Sequence, residues 1–365
     1  MEFYCPKCGR REAVTTREAR CGCGGLWKLS FEPPKFDLKK IDRKEWSLFR
    51  YREFMALDDD VSWREISLGE GLTPIVRLDG DVLLKMDYFM PTLSFKDRGA
   101  AVLVAHAKSI GVDSVVQDSS GNAGNSVAAY CAKAGIGCEI FVPEGTSPKK
   151  IDMIRAHGAV CTVVPGTRDH CADVCREKVE KQGVYYANHV YNPFFYEGTK
   201  TYLYEVYEQL GRLPAYLVIP VGNGTLFLGV MHALDEFLAA GLIDRVPQII
   251  ALQSENCDPL LQAAKTGSAT PAKVSPKPTL AEGIAIGKPM RGEEILEYVY
   301  RFGVRFVHAP EDRILSARAY LASRGIYCEH TTAANYAAYL AYVEEYGPTP
   351  DCLITMCGAG LKSDH

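Results

Sequence analysis

The chain has 365 residues, enough to bury a large core and to form about two to three domains. Hydrophobic residues make up 47% and charged residues 24%, as in ordinary soluble globular proteins. The net charge of -4 gives no reason to expect a nucleic-acid or anionic-membrane partner. No stretch approaches the roughly 20 apolar residues of a membrane helix, and the first residues lack the pattern of a signal peptide. We therefore expect a cytoplasmic protein.

Two closely spaced cysteine pairs lie within residues 1–29, namely Cys5 with Cys8 and Cys21 with Cys23. Glycines follow both pairs and let each turn bring its sulfurs toward one ion. The segment resembles a zinc ribbon, although its second pair is spaced C-x-C. A segment without metal, or with four free thiols, is the alternative. Either interpretation is structural, because four cysteine ligands leave no open coordination position.

Residues 30–60 are rich in charge and proline and predict a connector with a helix around 43–56. Beyond it, short apolar runs that favour strands alternate with helical runs. The predicted strands are 82–86, 114–117, 138–142, 159–164, 216–220, 248–253, 305–307 and 352–356. The predicted helices are 99–110, 126–133, 148–156, 169–181, 196–210, 228–240, 311–324 and 333–346. This alternation predicts mostly parallel sheets with helices on both faces.

Four loops that follow predicted strands carry polar residues and glycines, as expected where ligands bind in open α/β sheets. In the first loop, Phe95 and Lys96 stand directly before a helix. Partial desolvation there would lower the pKa of the lysine and free its amine for imine chemistry. Taken alone, a lysine is far more often a surface charge.

The other three loops have the chemistry of anion sites. Residues 119–123 offer hydroxyls and backbone amides at a helix start, which suit a carboxylate. Residues 222–226 let successive amides point at one dianionic phosphate. Residues 357–362 contain glycines that allow close backbone approach. The alternatives are a helix cap for residues 119–123, a plain turn for residues 222–226 and a flexible C-terminus for residues 357–362. Together, the four loops have the groups that a phosphorylated aldehyde cofactor needs in order to react with an amino acid.

The segment 91–99 closely resembles the lysine motif P-T-G-S-F-K-D-R-G of threonine synthases, which are pyridoxal-phosphate (PLP) enzymes of the tryptophan-synthase-β-like superfamily. Residues 67–74 resemble the upstream segment L-G-E-G-x-T-P, and residues 192–201 resemble N-P-x-x-x-E-G-x-K-T. Residues 281–287 and Glu329 also fit. The resemblance covers nearly the whole chain in order, and the N-terminal cysteine segment is similar to that of microbial threonine synthases.

The resemblance implies two three-layer α/β domains with mostly parallel sheets, the tryptophan-synthase-β-like PLP fold. Residues 1–29 would form the zinc-ribbon-like segment, with a structural zinc ion as a possible second cofactor. Residues 30–101 and 193–365 would form the larger, PLP-binding domain. Residues 102–192 would form a smaller mobile domain that binds the substrate carboxylate and closes over the substrate. A homodimer is usual for relatives.

Individual roles follow from the resemblance as well. Lys96 would bind PLP as a Schiff base and then move protons, Phe95 would wall the ring, and Asn122 would hydrogen-bond the PLP 3′-oxygen. Cys357 would lie beside the pyridine nitrogen, where a neutral thiol leaves the ring a weaker electron sink than an aspartate would. The other expected ligands hold the PLP phosphate (Gly222, Asn223, Gly224, Thr225, Leu226), the substrate carboxylate (Ser119, Ser120, Gly121, Ala123) and the substrate phosphate (Arg168, Asn188).

The activity that the resemblance implies is a lyase reaction, in which phosphate is eliminated from O-phospho-L-homoserine and water is added to give L-threonine. The chain departs from the family's pattern at Leu93, Ser120, His330, Cys357 and Ala359. Another PLP-dependent β-elimination or β-replacement enzyme is therefore the alternative, either similar to serine/threonine ammonia-lyases or acting on phosphoserine or diaminopropionate. A PLP-binding protein without catalysis is a further one.

Overall fold

The computed structural model describes residues 1–57 and 63–362, in which the strands form three sheets. The strands are β1 (Glu2–Tyr4), β2 (Arg11–Ala13), β3 (Lys28–Ser30), β4 (Ile75–Asp79), β5 (Val82–Lys85), β6 (Ser114–Gln117), β7 (Gly137–Pro143), β8 (Val160–Val164), β9 (Tyr185–Tyr186), β10 (Tyr216–Pro220), β11 (Gln248–Ser254), β12 (Arg305–Ala309) and β13 (Cys352–Thr355). The helices are α1 (Trp63–Ile66), α2 (Lys96–Ser109), α3 (Asn122–Ala134), α4 (Pro148–Ala156), α5 (Arg168–Gln182), α6 (Phe194–Leu210), α7 (Thr225–Ala240), α8 (Pro259–Thr266), α9 (Gly292–Phe302), α10 (Ile314–Ser323) and α11 (His330–Tyr346).

The predicted parallel arrangement is confirmed in the two larger sheets. One sheet has the strand order β12-β11-β10-β13-β5-β4 and is parallel except for the β4–β5 pair. The other has the order β8-β7-β6-β9 and is parallel throughout. The small N-terminal sheet, β2-β1-β3, is antiparallel. Among the described residues, no helix is both long enough and apolar enough to cross a membrane.

All eight predicted strands are present in the described chain, with ends that differ by at most two residues. Our prediction lacked β4, β9, the N-terminal strands, α1, α8 and α9. The helix predicted around 43–56 is present but shorter, and it is a 3-10 helix that covers Leu48–Phe54. A 3-10 helix has three residues per turn, so Leu48, Tyr51 and Phe54 share one face, and all three are fully buried.

Four helices begin three or four residues earlier than their apolar patterns predicted. The described helices α2, α3, α7 and α11 start at Lys96, Asn122, Thr225 and His330, whereas the predicted starts were 99, 126, 228 and 333. The first turns of α2, α3 and α11 are rich in polar residues, which weaken the helical signal in the sequence. The first turn of α7 is apolar after Thr225, so its late predicted start does not have this cause. The residues expected to bind ligands therefore lie on helix first turns, where backbone N–H groups lack partners within the helix.

The central strands β10, β11 and β13 of the six-stranded sheet are buried on both faces, which gives three layers. On β10, Leu217 and Ile219 pack in the apolar core that contains α6 and α7. Val218, between them, packs in the core that contains α10 and α11. This two-residue alternation is the pattern expected of a strand covered by helices on both sides.

A fully buried ion network joins this sheet to α2 and α6. The Lys85 ammonium nitrogen lies 2.8 Å from a Glu205 carboxylate oxygen, and Arg98 Nη1 lies 2.6 Å from the other Glu205 oxygen. Arg98 Nε also donates to Asp87 Oδ2 at 2.9 Å. Burial alone would raise the pKa of Glu205, but the charges of Arg98 and Lys85 lower it to about 2. The charged state of Glu205 therefore depends on the charges of Arg98 and Lys85.

Replacing Glu205 with alanine leaves Lys85 and Arg98 buried with one carboxylate fewer. We expect the free energy of unfolding to fall by about 3–5 kcal/mol, the usual cost of breaking a buried ion pair, as measured by urea denaturation. The matched control is Glu177→Ala, which removes an exposed partner of Lys181 and should cost less than about 1 kcal/mol. Equal losses in the two variants would contradict a stabilising role for the network.

Candidate active site

A cavity of about 640 Å³ lies between the four-stranded and six-stranded sheets. On one side it is lined by residues that follow β6, β7, β8 and β9, and on the other by residues that follow β10 and β13. The carboxyl ends of parallel strands are where open α/β sheets bind ligands. All of the residues expected to bind the cofactor or the substrate line this cavity, except Asn188. The four N-terminal cysteines are not part of its lining.

Lys96 is the first residue of α2, and it lines the cavity. Its Nζ atom donates to Thr225 Oγ1 at 2.8 Å and lies 4.6 Å from the centre of the Phe95 ring and 5.7 Å from that of Phe195. Loss of water around the amine lowers the pKa of Lys96 to about 7, against the opposite influence of Cys357 and Glu329. A substantial fraction of this amine is therefore uncharged, and so nucleophilic, at neutral pH.

The loop 222–226 requires glycine at two positions. A Cβ atom on Gly222 would lie 3.0 Å from Ile284 Cα and 3.1 Å from the Gly283 oxygen. Gly224 has a φ of +75, and a Cβ atom there would lie 2.4 Å from Ile295 Cδ1. Both glycines precede the first turn of α7, whose backbone amides and positive dipole end favour an anion.

The loop 119–123 folds closely onto the first turn of α3. A Cβ atom on Gly124 would come within 1.9 Å of the Ser119 oxygen, so only glycine permits this approach. The Asn122 amide donates to Glu329 Oε2 at 3.1 Å. Because Asn122 follows β6 and Glu329 precedes α11, this bond connects the two sides of the cavity.

Cys357 lines the cavity and lies two residues after the end of β13. Its Sγ atom is 3.1 Å from Thr332 Oγ1, and its carbonyl oxygen accepts from the Phe95 amide at 3.0 Å. Burial raises the pKa of the Cys357 thiol to about 12. The side chain is therefore a neutral thiol, as the sequence analysis assumed. The alternative of a flexible C-terminus is wrong for residues 357–362, since Lys362 is only 8% exposed and donates to the Thr92 oxygen at 2.5 Å.

The two residues expected to bind a substrate phosphate differ in position. Arg168 starts α5 and lines the cavity. The Asn188 amide instead donates to Asp118 Oδ1 at 2.8 Å and to the Tyr186 hydroxyl at 3.0 Å, while its oxygen accepts from the Val190 amide. These bonds stabilise the turn that follows β9 and use the polar atoms of Asn188.

Comparison with known proteins gives two consistent results. Residues 66–358 match the family described as pyridoxal-phosphate dependent enzyme. The chain is also 30% identical to the threonine synthase of Methanocaldococcus jannaschii, over 98% of this chain and 92% of that protein. The chain belongs to this family of PLP-dependent enzymes. More narrowly, it is a threonine synthase-like member of fold type II.

Other relatives agree with this assignment. The threonine synthase of Mycobacterium leprae is 32% identical over 86% of this chain and 87% of that protein. Among solved structures, the processed form of threonine deaminase isoform 2 from Solanum lycopersicum has a TM-score of 0.71 with 22% identity, and covers 92% of this chain and 88% of that chain. Maize serine racemase has a TM-score of 0.68 with 18% identity, over 79% and 88%. At these identities the two structures support the fold only.

PLP is the cofactor of this family, and the cavity fits it chemically. An amine with a lowered pKa, a glycine loop at a helix start and a neutral thiol lie around one space. A PLP enzyme needs one group for the aldehyde, one for the phosphate and one for the pyridine nitrogen. Lys96, the loop 222–226 and Cys357 have these three properties.

Many residues that line the cavity had no role predicted from the sequence, among them the titratable side chains of Lys150, His189, Glu329 and Lys362. Glu329 packs so closely against the turn after β13 that a Cβ atom on Gly358 would lie 2.1 Å from its Cδ atom. Burial raises the pKa of Glu329. Its place in a family-like segment was the only signal in the sequence, and no spacing rule connects residue 329 with residue 122.

The lowered pKa of Lys96 predicts how PLP capture depends on pH. In PLP-free protein, the rate of covalent PLP capture, trapped with borohydride and assigned by peptide mass spectrometry, should rise through pH about 7 and then level off. The direction follows because only the uncharged amine reacts, and burial favours that form. N-acetyl-lysinamide is the control, with a midpoint near about 10.4. A rate that keeps rising to that pH in the protein would contradict the desolvated environment.

Proposed function

We propose that this enzyme is a threonine synthase, which eliminates phosphate from O-phospho-L-homoserine and adds water to give L-threonine. The observation that carries the proposal is the position of Arg168 in the same cavity as Lys96. Arg168 follows the four-stranded sheet, whereas the glycine loop 222–226 follows the six-stranded sheet. The cavity thus has one site suited to the cofactor phosphate and a separate cation for a second phosphate.

When bound, PLP supplies an electron sink for the negative charge that develops beside the substrate amine. The Lys96 amine is the proposed base for the Cα proton, since it is partly uncharged at neutral pH. The Thr225 hydroxyl, 2.8 Å away, would orient the amine. The centres of the Phe95 and Phe195 rings lie 4.6 and 5.7 Å from this amine, and the rings cover part of its surface with apolar groups.

The substrate carboxylate would bind at the first turn of α3. Ser119 and Ser120 contribute hydroxyls there, and the backbone at Gly121 and Ala123 contributes amides at the positive end of the helix. Because this turn follows the four-stranded sheet, a bound amino acid would link it to the Lys96 side. We retain the division into a larger domain (30–101 and 193–365) and a smaller closing domain (102–192), together with a homodimer, as parts of this proposal.

The departures from the threonine synthase motif separate into two groups. Leu93 and Ala359 are not among the residues that line the cavity, and the Ala359 amide donates to the Leu93 oxygen at 3.1 Å. The two substituted residues contact each other outside the cavity, so they are weak evidence against threonine synthase activity. Ser120, His330 and Cys357 do line the cavity. They keep a serine/threonine ammonia-lyase-like reaction as the second candidate.

A substrate screen with the purified enzyme tests the reaction. We expect phosphate and threonine to appear in equal amounts from O-phospho-L-homoserine, and Lys96→Ala to abolish both products together with the absorbance band of lysine-bound PLP. Lys133→Ala is the control, because Lys133 is exposed on α3. Pyruvate or 2-oxobutyrate from serine or threonine, without phosphate release from the phosphorylated substrate, would instead establish the second candidate.

Arg168→Met tests the assignment of the second phosphate site. A hydrogen bond to a charged group is worth about 1.5–3 kcal/mol, so KM for O-phospho-L-homoserine should rise about 10- to 100-fold. The KM of a non-phosphorylated amino acid should change little. The control is Arg155→Met, which removes an exposed arginine of α4. Similar changes in KM for both substrates would show that Arg168 does not recognise phosphate.

A further inference from the structure

The four N-terminal cysteine sulfurs converge on one point. The Sγ atoms of Cys5, Cys8, Cys21 and Cys23 all lie within 4.8 Å of one another, and the Cys5–Cys23 and Cys8–Cys21 pairs are 3.5 Å apart. A tetrahedral zinc ion with Zn–S bonds of about 2.3 Å requires S–S distances of about 3.8 Å. The sulfurs are too far apart for disulfides, in which S–S is about 2.05 Å.

The backbone around these sulfurs has the turns that such a site needs. The Gly9 amide donates to the Cys5 oxygen and the Gly24 amide to the Cys21 oxygen, each at 2.8 Å, and both glycines have positive φ. A Cβ atom on Gly25 would lie 2.5 Å from the Cys5 sulfur. Glycine at these places lets two chain reversals bring their sulfurs together.

The segment that carries the cysteines packs on the two helices beside the cavity. His106 of α2 stacks on Phe194 of α6 with ring centres 3.7 Å apart, and its Nε2 atom is 3.1 Å from the Val14 oxygen. Phe3 of β1 contacts Phe194 edge to face, at 5.8 Å between ring centres. Since α2 begins with Lys96, the N-terminal segment contacts the helix that positions the reactive amine.

Arg291 joins this segment to the chain crossing between the two larger sheets. Its guanidinium donates to the Trp27 oxygen at 2.9 Å, the Tyr191 oxygen at 3.0 Å and the Val190 oxygen at 2.8 Å. Arg291 is buried and also pairs with Glu294, which pairs in turn with Lys28 at 2.9 Å. One side chain thus connects the end of the cysteine segment with residues 190–191.

The crossing segment 187–193 leads from β9 to α6 and contains His189, which lines the cavity. The N-terminal sheet has strands of three residues each, too small to remain folded by its own apolar core. Metal binding supplies folding free energy to segments of this size. Metal binding by the four thiols therefore affects the position of the crossing segment, through the contacts of Arg291 with both segments.

We propose that Cys5, Cys8, Cys21 and Cys23 bind one zinc ion as thiolates, and that the folded N-terminal segment then holds the crossing segment 187–193 in place beside the PLP site. The metal has a positioning role and contacts neither PLP nor substrate. The inference depends on PLP binding in the cavity but not on which amino acid reacts, so turnover is not its readout.

The first test uses the full-length holoenzyme. Elemental analysis should give about one zinc per chain, as a four-cysteine site predicts. Removal of zinc by a chelator should lower Tm and raise the Kd for PLP about 5- to 150-fold, the usual range of coupling between two sites. Re-addition of Zn²⁺ should restore both values. PLP affinity is read from its absorbance and needs no substrate.

Variants give an independent test. Cys8→Ser combined with Cys23→Ser removes the two exposed ligands, and should abolish zinc binding and reproduce the weaker PLP binding. Cys161→Ser is the matched control, because Cys161 is a free thiol of β8 outside the cluster. Arg291→Met should retain zinc but make PLP affinity insensitive to the chelator. If that variant does not fold, chelation of the unmodified enzyme decides the question.

Two results would overturn the proposal. Absence of zinc, with no Zn²⁺ taken up by the reduced protein, would exclude the metal site. Stoichiometric zinc whose removal changes neither Tm nor the Kd for PLP would exclude the positioning role. Failure of threonine synthase turnover with both zinc effects intact would count against the proposed reaction alone.

Discussion

Arg98 is buried between two carboxylates, Asp87 after β5 and Glu205 on α6, and this pairing fixes the start of α2. A buried guanidinium without such partners would cost several kcal/mol. The helices approach closely at this point, since a Cβ atom on Gly198 would lie 1.9 Å from the Arg98 oxygen. Lys96 lies two residues before Arg98. The direction of its amine thus depends on a charge pairing that never touches the ligand.

The same loss of water that makes Arg98 dependent on its partners makes Lys96 reactive. Burial lowers the pKa of Lys96 despite the opposite influence of Cys357 and Glu329, whereas two carboxylates in direct contact keep the buried Arg98 charged. The first residues of α3, α5 and α7 line the same cavity as Lys96, and α3 and α7 have no side-chain cap on their backbone amides. The site thus combines one weakly basic amine with several anion-binding helix starts, an arrangement that suits a phosphorylated cofactor and an anionic substrate.

Most of the strands and the residues on the cavity wall could be predicted because they depend on local patterns. A short apolar run that is bounded by turn residues and rich in β-branched side chains favours a buried strand. The start of α3 was predicted late, at 126 instead of Asn122, because its polar first turn carries little apolar signal. Asn188 was assigned to the substrate from a motif, whereas its atoms bond within their own turn and to Asp118.

By itself, the sequence determined the α/β class, the identity of the reactive lysine's motif and the loops in which ligands would be held. Each of these features depends on residues that are consecutive in the chain. Only the tertiary structure decided that Asn122 meets Glu329, that Arg291 joins the N-terminal segment to residues 190–191, and that Lys362 is buried. These contacts join residues far apart in the chain. Their formation depends on how the sheets and helices pack, which no local spacing records.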